Sequence, residues 1–564
     1  MVKTVKKYKR RRFKRTLKKY IKPKLISRSL FDKYKRVSPF ELKNKLLKNA
    51  RVKGKGTVLN AGRGNPNFFN DFCRKIFAHL QLTCMKISSK VKFLHDLNVY
   101  PTIDQYNYEK LLHKEIKTWP KREQQIFKVY MSYLKKRALD KKLNVNHIFH
   151  DVVLSTLGCY YPVPPQIQPH VGLVCEEFLY NLVIGKNANK KDEGSKMNPD
   201  DFECFATEGA AAGILYIFNT LKENFLLNPG DTIALITPIF SPYLEMPILS
   251  DYKLKIVELK GNPDNDYSLD DSEINKLRDK KIKALFMVNP ANPSAFSLSK
   301  ENIEKIGKIV NTERKDLIVL SDNVYAPFAK EYNSFMLTCP RNTIEVFSLS
   351  KYFGTTGWRL GLTMVAKDNR FNNLIKHLSK NKKEKLYKRY DIATIDPTKL
   401  TFMNRLVFDS RQVAEAHVGG LSTPQQVLIG LFLFYALEDT SHIYKNEIYN
   451  LLQKRIELLY SELNTSVHID PRSTNYYNLL DIPQITENLY GTSARLYLEK
   501  HYEYLEFLLY LARYYQVVLL PGAGFGANQW KARASLANLK TNDYKKISVA
   551  LAKCIKDFVK PVLP

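Results

Sequence analysis

Between Asp151 and Lys367 short apolar runs alternate with helical stretches, and this alternation sets the expected architecture of the middle of the chain. The runs Thr232–Ile236, Leu254–Val257, Ala284–Val288, Leu317–Leu320 and Thr343–Phe347 are dense in β-branched and aliphatic residues. They lack the strict apolar/polar alternation of a half-exposed sheet, so they predict strands buried on both faces of a largely parallel sheet. Lys300–Val310 carries the helical period between two of them. The predicted class is α/β, with a mostly parallel central sheet between helices.

The flanking zones read differently. From Ser38 to about His147 the pattern is helical and polar, broken by the glycine-rich stretch Asn60-Ala61-Gly62-Arg63-Gly64-Asn65-Pro66. After Leu374 comes a charged stretch, then long helical patterns to Leu511, and a strand-like Tyr515–Leu520 before Pro521-Gly522. Val427–Leu437 is an unbroken apolar run, too short to cross a bilayer, and predicts a buried helix. The organisation expected is a disordered basic tail at 1–36 and an N-terminal helical segment at 37–150 that contributes to a small domain. A large α/β domain at 151–375 follows, then a charged helical insert at 376–411, and a helical linker with a C-terminal small α+β domain at 412–564. Residues 186–200 predict a polar, mobile loop.

Composition changes this picture in two places. The 564 residues carry a net charge of +34, and the first 36 hold 17 Lys/Arg against the single acid Asp32. Such a tail can touch nucleic acid or another anionic surface through charge alone, or remain a solvated appendage. No apolar stretch follows it, which argues against a secretory signal and leaves a cytoplasmic protein as the expectation. Seven scattered cysteines (Cys73, Cys84, Cys159, Cys175, Cys204, Cys339, Cys554) form no CxxC pair, so neither a disulfide framework nor a zinc module is expected.

In an open α/β sheet the ligand lies beyond the carboxyl ends of the strands, and four predicted strands end in reactive residues. They lead into Asn289-Pro290-Ala291-Asn292-Pro293, into Ser321-Asp322-Asn323-Val324-Tyr325, into Ser348-Leu349-Ser350-Lys351-Tyr352-Phe353-Gly354 with Gly357-Trp358-Arg359 beyond, and into Thr237-Pro238-Ile239-Phe240. The order Asn-Pro-x-Asn-Pro, Asp-x-x-Tyr, Ser-x-Ser-Lys-x-Phe-Gly-x-x-Gly-Trp-Arg resembles the fold-type I pyridoxal 5'-phosphate enzymes of the class I/II aminotransferase superfamily. That resemblance implies roles residue by residue. Lys351 would carry the cofactor and act as the base at the substrate Cα. Asp322 would pair with the ring nitrogen, and Asn292 and Tyr325 with the ring oxygen. Phe240 would stack on the ring, a position where ordinary core packing is the other reading. Ser348, Arg359 and the helix start at Gly209, Ala210 and Ala211 would hold the phosphate. Ala211 stands where threonine is usual, a missing hydroxyl worth about 1 kcal/mol of cofactor affinity. Tyr161 matches a tyrosine that reaches a neighbouring subunit's phosphate, although a buried structural tyrosine would also suit the sequence. Arg533 would grip the substrate α-carboxylate as a bidentate fork.

The long N-terminal region, the insert, Ser38-Pro39-Phe40-Glu41-Leu42-Lys43, Leu59–Asn67 and Gly420–Gln426 resemble the aspartate 4-decarboxylases in particular. This likeness implies conversion of L-aspartate to L-alanine and CO2, with aminotransfer to 2-oxo acids as a second outcome, in a homodimer at least. Arg63, and Lys43 beside it, would anchor the β-carboxylate. The alternatives left open are a plain aminotransferase and, from another class, a binding module that works through the basic tail.

Overall fold

The computed structural model describes residues 32, 34, 37–51, 56–89, 98–184 and 197–563. The expected tail at 1–36, apart from Asp32 and Tyr34, and most of the 186–200 loop lie outside them. Thirteen strands occur among the described residues: β1 (Leu59–Asn60), β2 (Phe202–Thr207), β3 (Thr232–Thr237), β4 (Lys255–Asn262), β5 (Ser268–Leu269), β6 (Ile282–Val288), β7 (Ile318–Asp322), β8 (Thr343–Ser348), β9 (Gly361–Ala366), β10 (Tyr477–Asp481), β11 (Val517–Val518), β12 (Leu520–Pro521) and β13 (Lys531–Ser535).

An eight-stranded sheet in the order β2-β9-β8-β7-β6-β3-β4-β5 forms the core of the α/β portion. The block β8-β7-β6-β3-β4 is parallel throughout, while β9 runs antiparallel to both its neighbours and β5 antiparallel to β4. Its central strands are buried along their length, as the unbroken apolar runs require. Helices Ala210–Glu223 and Lys300–Thr312 pack their apolar faces on this sheet. The apolar run at Val427–Leu437 sits inside the helix Thr423–Glu438, buried for most of its length. No helix among the described residues is long and apolar enough to cross a membrane.

Two smaller sheets tie the chain ends together. β1 pairs in parallel with β11, bringing Leu59 opposite Val517. The antiparallel sheet β10-β13-β12 sets Arg533 between Leu479 and Leu520. Helix Pro39–Arg51 lies against helix Tyr504–Tyr515, where the Asn49 amide donates to the Leu509 carbonyl at 2.8 Å. The glycine-rich stretch after β1 therefore sits on the C-terminal segment, pinned where Ser535 N donates to Ala61 O at 2.7 Å and Asn538 Nδ2 to Asn60 O at 2.7 Å.

The structure corrects one expected element. Tyr515 closes a helix instead of opening a strand, and the run after it divides into β11 and β12, which join different sheets. The insert folds as two helices, Lys380–Tyr390 and Phe402–Asp409, with a 3-10 turn at Pro397–Lys399 between them. A buried network holds them: Asp409 accepts from Arg389 Nε at 3.0 Å, from Tyr390 Oη at 2.8 Å and from Asn224 Nδ2 at 3.0 Å.

Candidate active site

The carboxyl ends of β3, β6, β7 and β8 and the glycine-rich stretch after β1 enclose a cavity of ≈ 440 Å³. Of the residues singled out by sequence, Lys43, Arg63, Ala210, Ala211, Phe240, Asn292, Asp322, Tyr325, Ser348, Lys351, Arg359 and Arg533 all line it. Gly209 adjoins it beneath Arg359. Tyr161 does not reach its own chain's cavity. It is 64% exposed on its own chain, so it is not a tyrosine buried in that chain's core.

Lys351 stands in the one-turn helix Leu349–Tyr352 that follows β8 directly, and Ser348 caps that turn by accepting from Ser350 N at 3.1 Å. Its Nζ donates to Gly64 O at 3.0 Å. Asp322 ends β7, buried. It accepts from Val324 N at 3.1 Å and from Tyr243 Oη at 3.4 Å, and it makes no ion pair among the described residues. Burial pushes its carboxyl up to about 7. A buried carboxylate of this kind can pair with a protonated ring nitrogen placed in the cavity.

The start of helix Ala210–Glu223 faces the same space. The first amides of a helix lack intrahelical acceptors, and here Arg359 reaches across them, with Nη2 at 3.4 Å from Glu208 O and Nη1 at 2.8 Å from Thr356 O. Gly209 has φ +88°, and a Cβ there would lie 2.4 Å from Arg359 Nη2, so close approach of this guanidinium requires glycine. Helix start, guanidinium and the Ser348 hydroxyl together make a cradle for a phosphate.

Part of the lining is a cationic wall. Arg533 is 1% exposed, donates to Asn292 Oδ1 at 3.1 Å and to Gly62 O at 3.0 Å, and keeps a buried Nε without a partner. The rings of Tyr477, Phe525 and Phe40 surround its guanidinium at 4.5, 4.7 and 5.9 Å. Lys43 and Arg63 share this wall, and none of the three pairs with a carboxylate among the described residues. Burial, then the charges of Arg63 and Arg533, lowers the Lys43 pKa. Such a wall suits a small dianion. Phe240, half-buried, meets Phe40 edge to face at 5.9 Å on the way to it.

Sequence reasoning missed several lining residues. Phe40, Asn65, Ser350, Thr356 and Tyr477 all face the cavity without having been assigned a role. Ser350 and Thr356 lie inside the quoted Ser-Leu-Ser-Lys to Trp-Arg run and could have been found from its spacing. Tyr477 comes from β10, far away in the chain.

A second buried carboxyl sits behind Asp322. Glu345, opposite Ser321 in the β7–β8 register, accepts from Ser334 Oγ at 2.5 Å and from Asn323 Nδ2, while Ser321 Oγ donates to Asn323 Oδ1 at 2.8 Å. Burial pushes Glu345 up to about 8. The folded protein thus keeps a proton that the unfolded chain releases near its ordinary value of about 4.3. Stability from this group is complete below that pH and is lost as pH climbs through about 8. Glu345→Gln, which mimics the protonated acid, is expected to flatten this decline in urea melts at pH 5, 7 and 8.5 at little cost at pH 5. Glu345→Ala should cost about 1–3 kcal/mol by stranding its donors. A decline with pH as steep in Glu345→Gln as in the wild type would assign the effect to other groups.

Away from the cavity, Asp266, His468 and Asp470 cluster closely, but Arg472 already pairs with both carboxylates, at 3.3 and 2.9 Å. That cluster reads as a structural latch.

Comparison with known proteins agrees with the geometry. The aminotransferase class I and II family matches residues 195–551. The chain is 37% identical over 520 residues to a Pseudomonas protein named bifunctional aspartate aminotransferase and L-aspartate beta-decarboxylase, covering 92% of this chain and 95% of that one. It is also 32% identical over 170 residues to the aspartate aminotransferase of Sulfurisphaera tokodaii, covering 29% and 41%. In fold it is similar to the aspartate aminotransferase of Thermus thermophilus with maleate, at a TM-score of 0.56 and 16% identity over 94% and 99% of the chains. The aromatic aminotransferase of Pyrococcus horikoshii gives 0.54 and 18% over 91% and 98%. With the family match spanning the whole sheet and the Pseudomonas likeness extending through the N-terminal segment, this chain belongs to the class I and II aminotransferases.

Proposed function

We propose that the protein removes the β-carboxylate of L-aspartate to give L-alanine and CO2, with transfer of the amino group to 2-oxo acids as a second outcome at the same site. The observation that carries this reading is a set of three cations, Lys43, Arg63 and Arg533, without a carboxylate partner among the described residues, lining the same cavity as Lys351 and Asp322. A substrate with two carboxylates leaves one of the three charges unmatched, whereas a neutral amino acid, with one carboxylate, leaves two. The name of the Pseudomonas relative supports the same substrate.

Pyridoxal phosphate is the cofactor of this family, and the residues present fit it. Asp322 is a buried carboxylate without a counter-ion, the amides at the helix start have Arg359 beside them, and Tyr325 and Asn292 project into the cavity between them. Asp322 would hold the ring nitrogen, Asn292 and Tyr325 the ring oxygen, Phe240 the ring face, and Ser348, Arg359, Ala210 and Ala211 the phosphate. When bound, the cofactor supplies an electron sink for the bonds broken at the substrate.

The chain's own residues do the rest. Arg533 takes the α-carboxylate in exchange for its contacts to Asn292 Oδ1 and Gly62 O. Lys351, released from Gly64 O, takes the proton from Cα and returns protons to the product. Arg63 and Lys43 hold the β-carboxylate until it leaves as CO2. The aromatic collar of Phe40, Tyr477 and Phe525 keeps water from Arg533, which strengthens each charge contact. Tyr161, exposed and outside its own cavity, supports a homodimer in which it completes the neighbouring site.

Product analysis tests the reading. The enzyme supplied with L-aspartate should release alanine and CO2 in equal amounts. Oxaloacetate alone, formed only with an added 2-oxo acid, would make it a plain aminotransferase. No turnover of aspartate at all would sink the proposal.

A further inference from the structure

Tyr477 opens β10 at the floor of the cavity, buried, in a region where sequence gave no hint of chemistry. Its Oη lies 3.0 Å from Tyr325 Oη, and its ring lies 4.5 Å from the Arg533 guanidinium carbon. A Cβ built on Gly64 would meet Tyr477 Oη at 2.6 Å and Lys351 Nζ at 3.5 Å, so the phenol also stands close to the lysine. The charged groups around the phenol pair are Arg533 from β13, Lys351 from the turn after β8 and Asp322 from β7, with Lys43 and Arg63 from the N-terminal segment. Tyr476 packs beside it at 5.0 Å between ring centroids.

Either phenol of the pair could donate to the other, but each has only one proton. On the reading that Tyr325 gives its proton to the cofactor's ring oxygen, the hydrogen bond between the two tyrosines can only run from Tyr477 to Tyr325. We propose that Tyr477 is a positioning residue that commits the Tyr325 proton to the cofactor and thereby sets the pH at which the bound cofactor titrates. The physical link is the polarisation of serial hydrogen bonds: a phenol that accepts one donates a stronger one. A stronger donor drains charge from the ring oxygen, and that charge otherwise holds the proton on the nitrogen joining Lys351 to the cofactor. With Tyr477 in place this proton leaves at lower pH. Burial keeps Tyr325 well above the usual phenol range, so its own proton stays in place throughout.

This inference rests on the cofactor reading above, and the test separates the two. The holoenzyme's visible absorption is followed against pH for the wild type, Tyr477→Phe, Tyr325→Phe and the double variant. Phenylalanine keeps the ring over Arg533, so thermal midpoints should stay close to the wild type. Tyr477→Phe is expected to move the absorption midpoint upward by about 0.5 pH unit, the scale of one hydrogen bond lost at one remove. In the Tyr325→Phe background the same change should add nothing, because Tyr477 acts only through Tyr325. An unmoved midpoint in Tyr477→Phe, or an equal shift in both backgrounds, would overturn the proposal. A wild-type protein without a visible band after loading with pyridoxal phosphate would overturn the cofactor reading, and this inference with it.

Discussion

Replacing Lys351 with alanine is expected to abolish turnover, by more than about 10⁴-fold, because one side chain serves two functions. As a general base alone such a group is worth about 10²–10⁴, and as the covalent anchor it also fixes the cofactor's position. The fold should survive. Lys351 is half-buried, its Nζ makes a single hydrogen bond among the described residues, to Gly64 O at 3.0 Å, and Tyr476 Oη still holds that carbonyl at 2.8 Å. Thermal melting close to the wild type, together with lost activity, would therefore localise the defect to chemistry. Lys351→Arg should be equally inactive, since the guanidinium retains charge but neither attacks a carbonyl nor shuttles a proton near neutral pH. The measurements are kcat with aspartate and the absorption of the protein loaded with cofactor. Near-normal turnover in either variant would show that the reacting lysine lies elsewhere.

The parts of this site that could be read from sequence are those the parallel sheet dictates. β3, β6, β7 and β8 are buried on both faces, so apart from Glu345 in β8 their central residues are apolar, and polar chemistry begins at the strand ends. Asn292, Asp322, Ser348 and Lys351 stand out for that reason. β2 and β9 escaped notice because Phe202–Thr207 and Gly361–Ala366 mix polar, small and apolar residues without either strand period. β10 and β13 escaped because Tyr477–Asp481 and Lys531–Ser535 are short and poor in β-branched residues, and pairing with each other defines them. Tyr477 and Phe40 joined the site for the same reason. Their positions depend on contacts between segments hundreds of residues apart, and local spacing carries no record of those contacts. The helix start at Gly209 was legible in part: a glycine before three alanines signals a close approach, but only the fold shows that Arg359 is what approaches.

Arg63→Ala is expected to separate aspartate from substrates that lack a side-chain carboxylate. The backbone around Arg63 is pinned on both sides. Gly62 O accepts from Arg533 Nη2 at 3.0 Å, Gly62 N donates to Asn60 Oδ1 at 3.0 Å, and Gly64 O takes Lys351 Nζ and Tyr476 Oη. The side chain itself lies exposed at the cavity mouth and makes no ion pair among the described residues. Truncating it should leave the fold and the other site residues in place, so the loss falls on the substrate contact alone. A charge pair that becomes desolvated on binding costs about 2–5 kcal/mol when one partner is removed, which predicts a fall of at least about 30-fold in kcat/KM for aspartate. A neutral amino acid still has Arg533 for its α-carboxylate and should bind with a nearly unchanged spectral response. Since CO2 carries the β-carboxylate's charge away, a contact to Arg63 orients aspartate without by itself favouring bond cleavage, and most of the loss should appear in KM. Lys43, its pKa already lowered by burial and by the two arginines, should recover a higher pKa once Arg63 is gone. The aspartate KM of the variant should then depend less on alkaline pH than that of the wild type. Equal losses for aspartate and a neutral amino acid would mean that Arg63 only shapes the turn, and Lys43→Ala, run in parallel, would then show whether the lysine is the β-carboxylate's anchor.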